Sequence, residues 1–245
     1  MASKGLLLEE LTWVQAELAL TPDTMVVLPL GASAKQHGPH LPLCNDWLLA
    51  EYFKRRVLEA ADVVIAPTLG YHYYPAFVEY PGSVTLRLGT ARHLIEDICT
   101  SLAAFGPRRF YVLNTGISTI QALAPARDAL AAHGLLLGYT DLRAAGRARI
   151  ERLIEQAGGS HADEIETSMM LYIAPERVDM SKAVCDYHPG QGRLTRQAGA
   201  GGTYSPTGIY GDASLANRDK GRAAVEAIVT SVLSDIERLR SYALP

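Results

Sequence analysis

Lys35, His37, His40 and Asp46 fall within one short loop, punctuated by Gly38, Pro39 and Pro42. Imidazole and carboxylate are ligands for zinc, manganese or iron, and the prolines would hold the loop in a preset shape, so His37 and Asp46 are candidate metal ligands. The alternative is a proline-rich loop whose histidines only hydrogen-bond backbone. A second group, His161, Glu164 and Glu166, puts a histidine able to transfer a proton beside carboxylates able to orient it or to bind a cation. Glu164 also reads as a helix-start charge favoured by the macrodipole. The small polar run Asn114–Thr119, with Asn114 and Ser118, suits a carboxylate or phosphate at a strand end; it cannot stand in for an imidazole on a metal. Tyr73, in the aromatic loop Tyr71–Pro75, can wall a pocket for a flat or cyclic substrate or simply pack a long connection. His40, Tyr73, Asn114 and Ser118 are the candidate substrate contacts.

These residues need a scaffold of buried strands with loops at their ends. Val26, Val27, Leu28 and Leu30 form a short apolar run ended by Gly31, the pattern of a strand buried on both faces of a parallel sheet. Further strands are predicted at Asp62–Ala66, Phe110–Leu113 and Leu135–Tyr139. Helical spacing predicts helices over Leu6–Leu20, Trp47–Ala60 and Ala91–Phe105. Others follow: an Ala-rich helix through Ala132, then Asp141–Ala157, Glu164–Ile173 and Ser214–Tyr242. Asn45 or Asp46 is a candidate N-cap for the second helix, which competes with a metal role for Asp46, and Ser118 or Thr119 for the Ala-rich one. His188–Gly211, rich in Gly and Pro, lacks the lysine of a phosphate-binding loop and reads as a lid or an interface loop. His93 and His133 lie in or beside helices without a motif. The fold class expected is a single three-layer α/β/α domain over residues 1–245 with a mostly parallel central sheet.

The segment GASAKQHGPHLPLCND resembles the signature of the creatininase (creatinine amidohydrolase) family, Gly-Ser-x-Glu-x-His-Gly-x-His-Leu-Pro followed by Asp. YPGSVTL at Tyr80–Leu86, HADEIETSMML at His161–Leu171 and GIYGDASLANRDKGR at Gly208–Arg222 resemble three further family segments in the same order. The resemblance implies an amidohydrolase in which two metals act on a cyclic amide. It carries His37 and Asp46 over as ligands and His161 as the general acid/base. The intact Glu-Thr-Ser motif favours Glu166 as a site residue. The departures are specific. Lys35 stands where the family has a metal-binding Glu, Asn114-Thr115-Gly116 where it has Asn-Gly-His, and Ser118 where a second Glu ligand can stand. A reduced site of His37, Asp46 and Glu166 is therefore expected, holding one divalent metal or none. Lys35 would occupy the region of a lost cation, paired with Asp46 or Glu166 and binding a carbonyl or oxyanion. A desolvated Lys35 acting as a base or a Schiff-base former, or a plain surface lysine, are its other readings. Two functions follow: hydrolysis of a small cyclic amide or other non-peptide C–N bond, or a non-catalytic relative that binds a small ligand or partner.

Composition narrows the partners. With 245 residues, 48% of them hydrophobic, and a formal charge of −3, the chain is suited to one well-buried domain and lacks the basic excess of a nucleic-acid binder. Three cysteines without a Cys-x-x-Cys pair argue against a disulfide scaffold or zinc knuckle and fit a reducing cytoplasm. Residues 1–20 resemble neither a signal peptide nor a membrane span. The expected partners are a small-molecule substrate and, from the resemblance, further copies of the chain, with neither nucleic acid nor membrane.

Overall fold

The computed structural model describes residues 3–245. Five strands, β1 (Leu6–Leu7), β2 (Met25–Leu30), β3 (Val64–Ile65), β4 (Arg109–Asn114) and β5 (Leu136–Tyr139), form a sheet of order β1-β3-β2-β4-β5. Every pairing in it is parallel. All six residues of β2 are buried, as its unbroken apolar run predicts for a central parallel strand.

Alternation along the strands feeds two cores. Met25 and Val27 of β2, with Tyr111 and Leu113 of β4, pack against α2 (Asn45–Ala60), α6 (Glu164–Ile173) and α7 (Arg218–Ser241). Val26, Leu28 and Leu30, with Phe110 and Val112, meet α1 (Trp13–Ala19), α3 (Leu88–Ala103) and α4 (Ile120–Ala131) on the other face. The result is the expected three-layer α/β/α arrangement. A short α5 (Arg147–Ile150) and two small ribbons, β6 (Cys185–Asp186) with β9 (Gly211–Asp212) and β7 (Leu194–Thr195) with β8 (Thr203–Tyr204), complete it. No helix among the described residues is long and apolar enough to cross a membrane.

Strand order reverses at β2: the chain moves outward to β3, then crosses back to β4 on β2's other side. That leaves a crevice beyond the carboxyl ends of β2 and β4, the usual ligand position in open α/β sheets. Gly31 makes the crevice's first turn possible, because a Cβ there would lie 2.2 Å from the Asp46 carbonyl oxygen. Thr115 locks the same junction by donating its hydroxyl to the Leu30 and Asp46 carbonyls, at 3.0 and 3.1 Å.

Four predicted elements differ. The Leu6–Leu20 helix is divided: Leu6 and Leu7 pair with Val64 and Ile65 as an edge strand, and the helix starts only after Thr12. There a reciprocal cap with Gln15 satisfies the first amides. In α2 the N-cap is Cys44, without a side-chain bond, and neither Asn45 nor Asp46 caps it. Ser118 and Thr119 do not cap α4 with their side chains either: Ser118 Oγ donates to the Tyr73 carbonyl and Thr119 Oγ1 to Asn114 Oδ1. The Asp141–Ala157 helix shrinks to Arg147–Ile150, entered through left-handed Gly146. Its later amides, Glu155 N and Gln156 N, donate to the Glu164 carboxylate at 2.9 Å instead of continuing a helix.

Candidate active site

The loop after β2 delivers Lys35 and His37, and the first turn of α2 delivers Asp46. Gly38, at φ +68°, makes the turn behind His37, where a Cβ would come within 2.6 Å of Ile209. Asp46 is fully buried and held from two sides: Lys35 Nζ lies 2.6 Å from Oδ2, and His37 Nε2 lies 2.8 Å from Oδ1. Burial alone would raise the Asp46 carboxyl; the Lys35 charge and then that of His37 reverse this and hold it below the usual carboxylate range. The Lys35 ammonium, itself buried, rests over the Phe77 ring at 4.8 Å and the Tyr74 ring at 5.7 Å.

The second half comes from the start of α6. Asp163 caps that helix by accepting from Ile165 N and Glu166 N at 3.0 Å. Ala162, just before it, adopts a left-handed φ of +50°, and its N–H donates to Glu166 Oε2 at 2.5 Å. This bend aims His161 and Glu166 at the β2 loop. His161 Nε2 donates to the Gln36 carbonyl at 2.9 Å, and its ring lies 4.8 Å from that of His37 and 4.3 Å from Phe77.

The acceptors then converge. His37 Nδ1 faces the Lys35 carbonyl at 2.9 Å while its Nε2 faces Asp46 and, at 3.6 Å, Glu166 Oε1. An imidazole with acceptors at both nitrogens is satisfied by a doubly protonated ring or by a cation bound at Nε2. In His161 the Nε2 proton is committed, so its Nδ1 lone pair points at Glu166 Oε2, 3.6 Å away. Burial, with the charges of His37 and Lys35, pushes His161 well below the ordinary imidazole range and keeps that lone pair free. Burial first, and the Asp46 charge with it, pushes the Glu166 carboxyl up. Ligand atoms of His37, His161 and Glu166 all lie within 4.8 Å of one another. A lone pair and a carboxylate aimed at one point fit a single divalent cation.

Of the predicted site residues, the structure brings Lys35, His37, Asp46, His161 and Glu166 into one cluster. Lys35, His161 and Glu166, with Ser118, line a cavity of about 800 Å³. Three predicted substrate contacts are otherwise engaged. The His40 Nε2 meets Thr167 Oγ1 at 2.8 Å behind the cluster. Asn114 uses its amide on Gly116, Thr119 and the Thr140 carbonyl. Tyr73 meets Ser118 through its carbonyl and is not among the cavity's lining residues. His93 and His133 are exposed. Residues beyond those predicted complete the site: Phe77 and Tyr74 cover Lys35, and Gln36 orients His161. The aromatic loop Tyr71–Pro75 contained Tyr74, and Phe77 lies just beyond it.

A parallel three-layer sheet thus carries an imidazole–carboxylate cluster at its reversal point. The family model for creatininase, described as creatinine amidohydrolase, matches residues 9–236, and the chain belongs to that family of amidohydrolases. A creatinine amidohydrolase of Pseudomonas putida is 27% identical over 96% of this chain and 97% of its own length. A mycofactocin precursor peptide peptidase of Mycolicibacterium smegmatis is 28% identical over 87% of this chain and 85% of its own. A crystal structure of creatininase superposes with a TM-score of 0.79 at 25% identity, covering 97% of this chain and 99% of that one. Solved creatininases at the same identity include a manganese form and a mutant of zinc–zinc type.

Proposed function

We propose that this chain hydrolyses a small cyclic amide, or another non-peptide C–N bond, with one divalent cation and with Lys35 as the second positive charge. The observation that carries the reading is the Lys35–Asp46 pair, 2.6 Å apart, in which Lys35 lines the cavity and Asp46 lies buried behind it. An ammonium paired with Asp46 Oδ2 does not leave that oxygen for a second metal. The single-cation set supported by the geometry is His37, Glu166 and His161. Asp46 then holds Lys35 through Oδ2, its Oδ1 lies beside the His37 nitrogen that would bind the cation, and His161 serves as a ligand in place of the proton-transfer role expected of it. Zinc, manganese or iron bound there would polarise a carbonyl and make a water nucleophilic near neutral pH.

The chain's own residues do the rest. Lys35 carries three N–H donors, and Asp46 takes one of them on the side away from the cavity. The remaining donors face a substrate oxygen and stabilise charge growing on it in a water-poor wall formed with Phe77. His161 and Glu166 hold the opposite side.

Steady-state hydrolysis of a panel of cyclic amides, including hydantoin and creatinine, tests this with Lys35→Met alongside. The expected outcome is turnover of at least one panel member and a loss of about 10²–10³ in kcat for the variant, with its metal retained. Equal kcat in the two proteins would refute the role given to Lys35.

A further inference from the structure

The cavity is far larger than its polar floor. Lys35, His161 and Glu166 line part of about 800 Å³, a volume in the upper part of the range for drug-sized ligands and much more than a bare five- or six-membered ring fills. A large share of the remaining lining is aliphatic. It is supplied by Ile117 and Ile120, at the entrance to α4, and by Leu142, Ile150 and Ile154 from the segment that follows β5. Ile117 and Ile154 are 40% and 41% exposed, so this wall leaves large apolar side chains open to solvent beside the reacting groups. The charges on this side neutralise one another: Arg143 forks onto Asp141 at 2.7 and 3.0 Å, and Arg147 bonds Glu151 at 2.6 Å. An incoming group meets hydrocarbon between closed ion pairs.

We infer that the aliphatic wall is a specificity subsite for an uncharged apolar arm on the substrate amide, so that the preferred substrate is an amide bearing an aryl or branched-alkyl substituent. This rests on the hydrolytic reading above and names the substrate class for the same site. Continuity decides the occupant. Thr115 and Ser118, from the same segment as Ile117, line one cavity together with Lys35, so a ligand with its carbonyl at Lys35 shares that cavity with the isoleucines. The apolar group leaves water at this wall, whereas a charged one would be desolvated beside ion pairs that already satisfy each other.

Calorimetric binding separates this inference from the catalytic one, because it needs no turnover. The probes are hydantoin, 5-benzylhydantoin and hydantoin-5-acetic acid, titrated into metal-loaded wild type, Ile117→Asn and Ile154→Asn. Both isoleucines are half-exposed, and circular dichroism verifies that the variants fold. The expected result is at least about tenfold tighter binding of the benzyl compound than of hydantoin. That ratio should shrink in both variants, with no gain for the acid. Equal affinities, no binding of the benzyl compound, or preference for the acid would overturn the subsite. So would an unchanged ratio in both variants accompanied by a smaller assembly in sedimentation, which would give the wall to contacts between copies. Failure to hydrolyse any panel amide, with the benzyl preference intact, would count against the catalytic reading alone.

Discussion

Asp46 sits at the second position of α2, fully buried, with one oxygen on an ammonium and the other on an imidazole. Removing Lys35's charge leaves that carboxylate with half its compensation. Lys35→Met is therefore expected to cost about 3–5 kcal/mol at neutral pH, read as a lower urea midpoint, with the loss shrinking as acid neutralises Asp46. An unchanged midpoint would mean the pair is not formed. Lys35, His37 and Asp46 were legible from sequence because they share one short stretch between β2 and the first turn of α2, where residue type and prolines mark chemistry. Asp46's competing role as a helix cap was equally legible and is not what the fold uses, since Thr115 and the Pro42 carbonyl tie down the start of α2. The cover of Lys35 by Phe77 and Tyr74 is a contact across some forty residues, and no local spacing encodes it.

At the scale of elements, the start of α6 carries the cluster's second half and is braced on both sides. Left-handed φ at Ala162 is a strain of about 1–2 kcal/mol for a residue with a Cβ. Ala162→Gly should match or exceed wild-type stability, whereas Ala162→Val should lose more than about 2 kcal/mol by urea titration. Equal losses in the two variants would contradict a backbone origin. The second brace is Glu164, fully buried, which takes the Glu155 and Gln156 amides and an ion pair with Lys220 of α7. Glu164→Gln and Lys220→Met are each expected to destabilise, and the double variant by less than their sum, because each single change strands the other partner. Additive losses in a double-mutant cycle would sink that coupling. The macrodipole reading of Glu164 was correct as to place and incomplete as to work. Its partners come from a segment whose polar composition reads as helix but which Gly146 and these hydrogen bonds hold as turns. Strands β2 and β4 were readable because a central parallel strand is apolar on both faces, and β5, at the sheet's edge, from its short run of leucines. Leu6–Leu7 was not, since two residues at a sheet edge carry no period.

Across the whole molecule, buried neutral histidines set the acid limit. His40 and His72 are each lowered to about 4 by burial, His40 additionally by the charge of His37. In the unfolded chain both titrate near 6.5, so between pH 6.5 and 4 the unfolded state binds more protons and stability falls as pH drops. The loss is expected to reach on the order of 2–3 kcal/mol per histidine by pH 4. Urea midpoints should decline from pH 7 to pH 5, less steeply in His72→Gln; a flat profile would contradict neutral burial. The family resemblance was legible along most of the chain because its motifs follow β2, precede α3, open α6 and run from β9 into α7. The balance of charge at the centre was legible only in part. The family resemblance pointed to Lys35, Asn114-Thr115-Gly116 and Ser118 as departures from the family pattern, while the convergence of His161 Nδ1 with His37 and Glu166 depends on how β2's loop and α6 meet.

The claim that one cation and one lysine replace a metal pair is tested most directly by counting metal. Mass spectrometry of the untagged protein after mild dialysis should find about one zinc, manganese or iron per chain. That ion should be lost in His37→Ala and Glu166→Ala and kept in Lys35→Met. Two ions per wild-type chain, or none after loading with each of the three metals, would contradict the account.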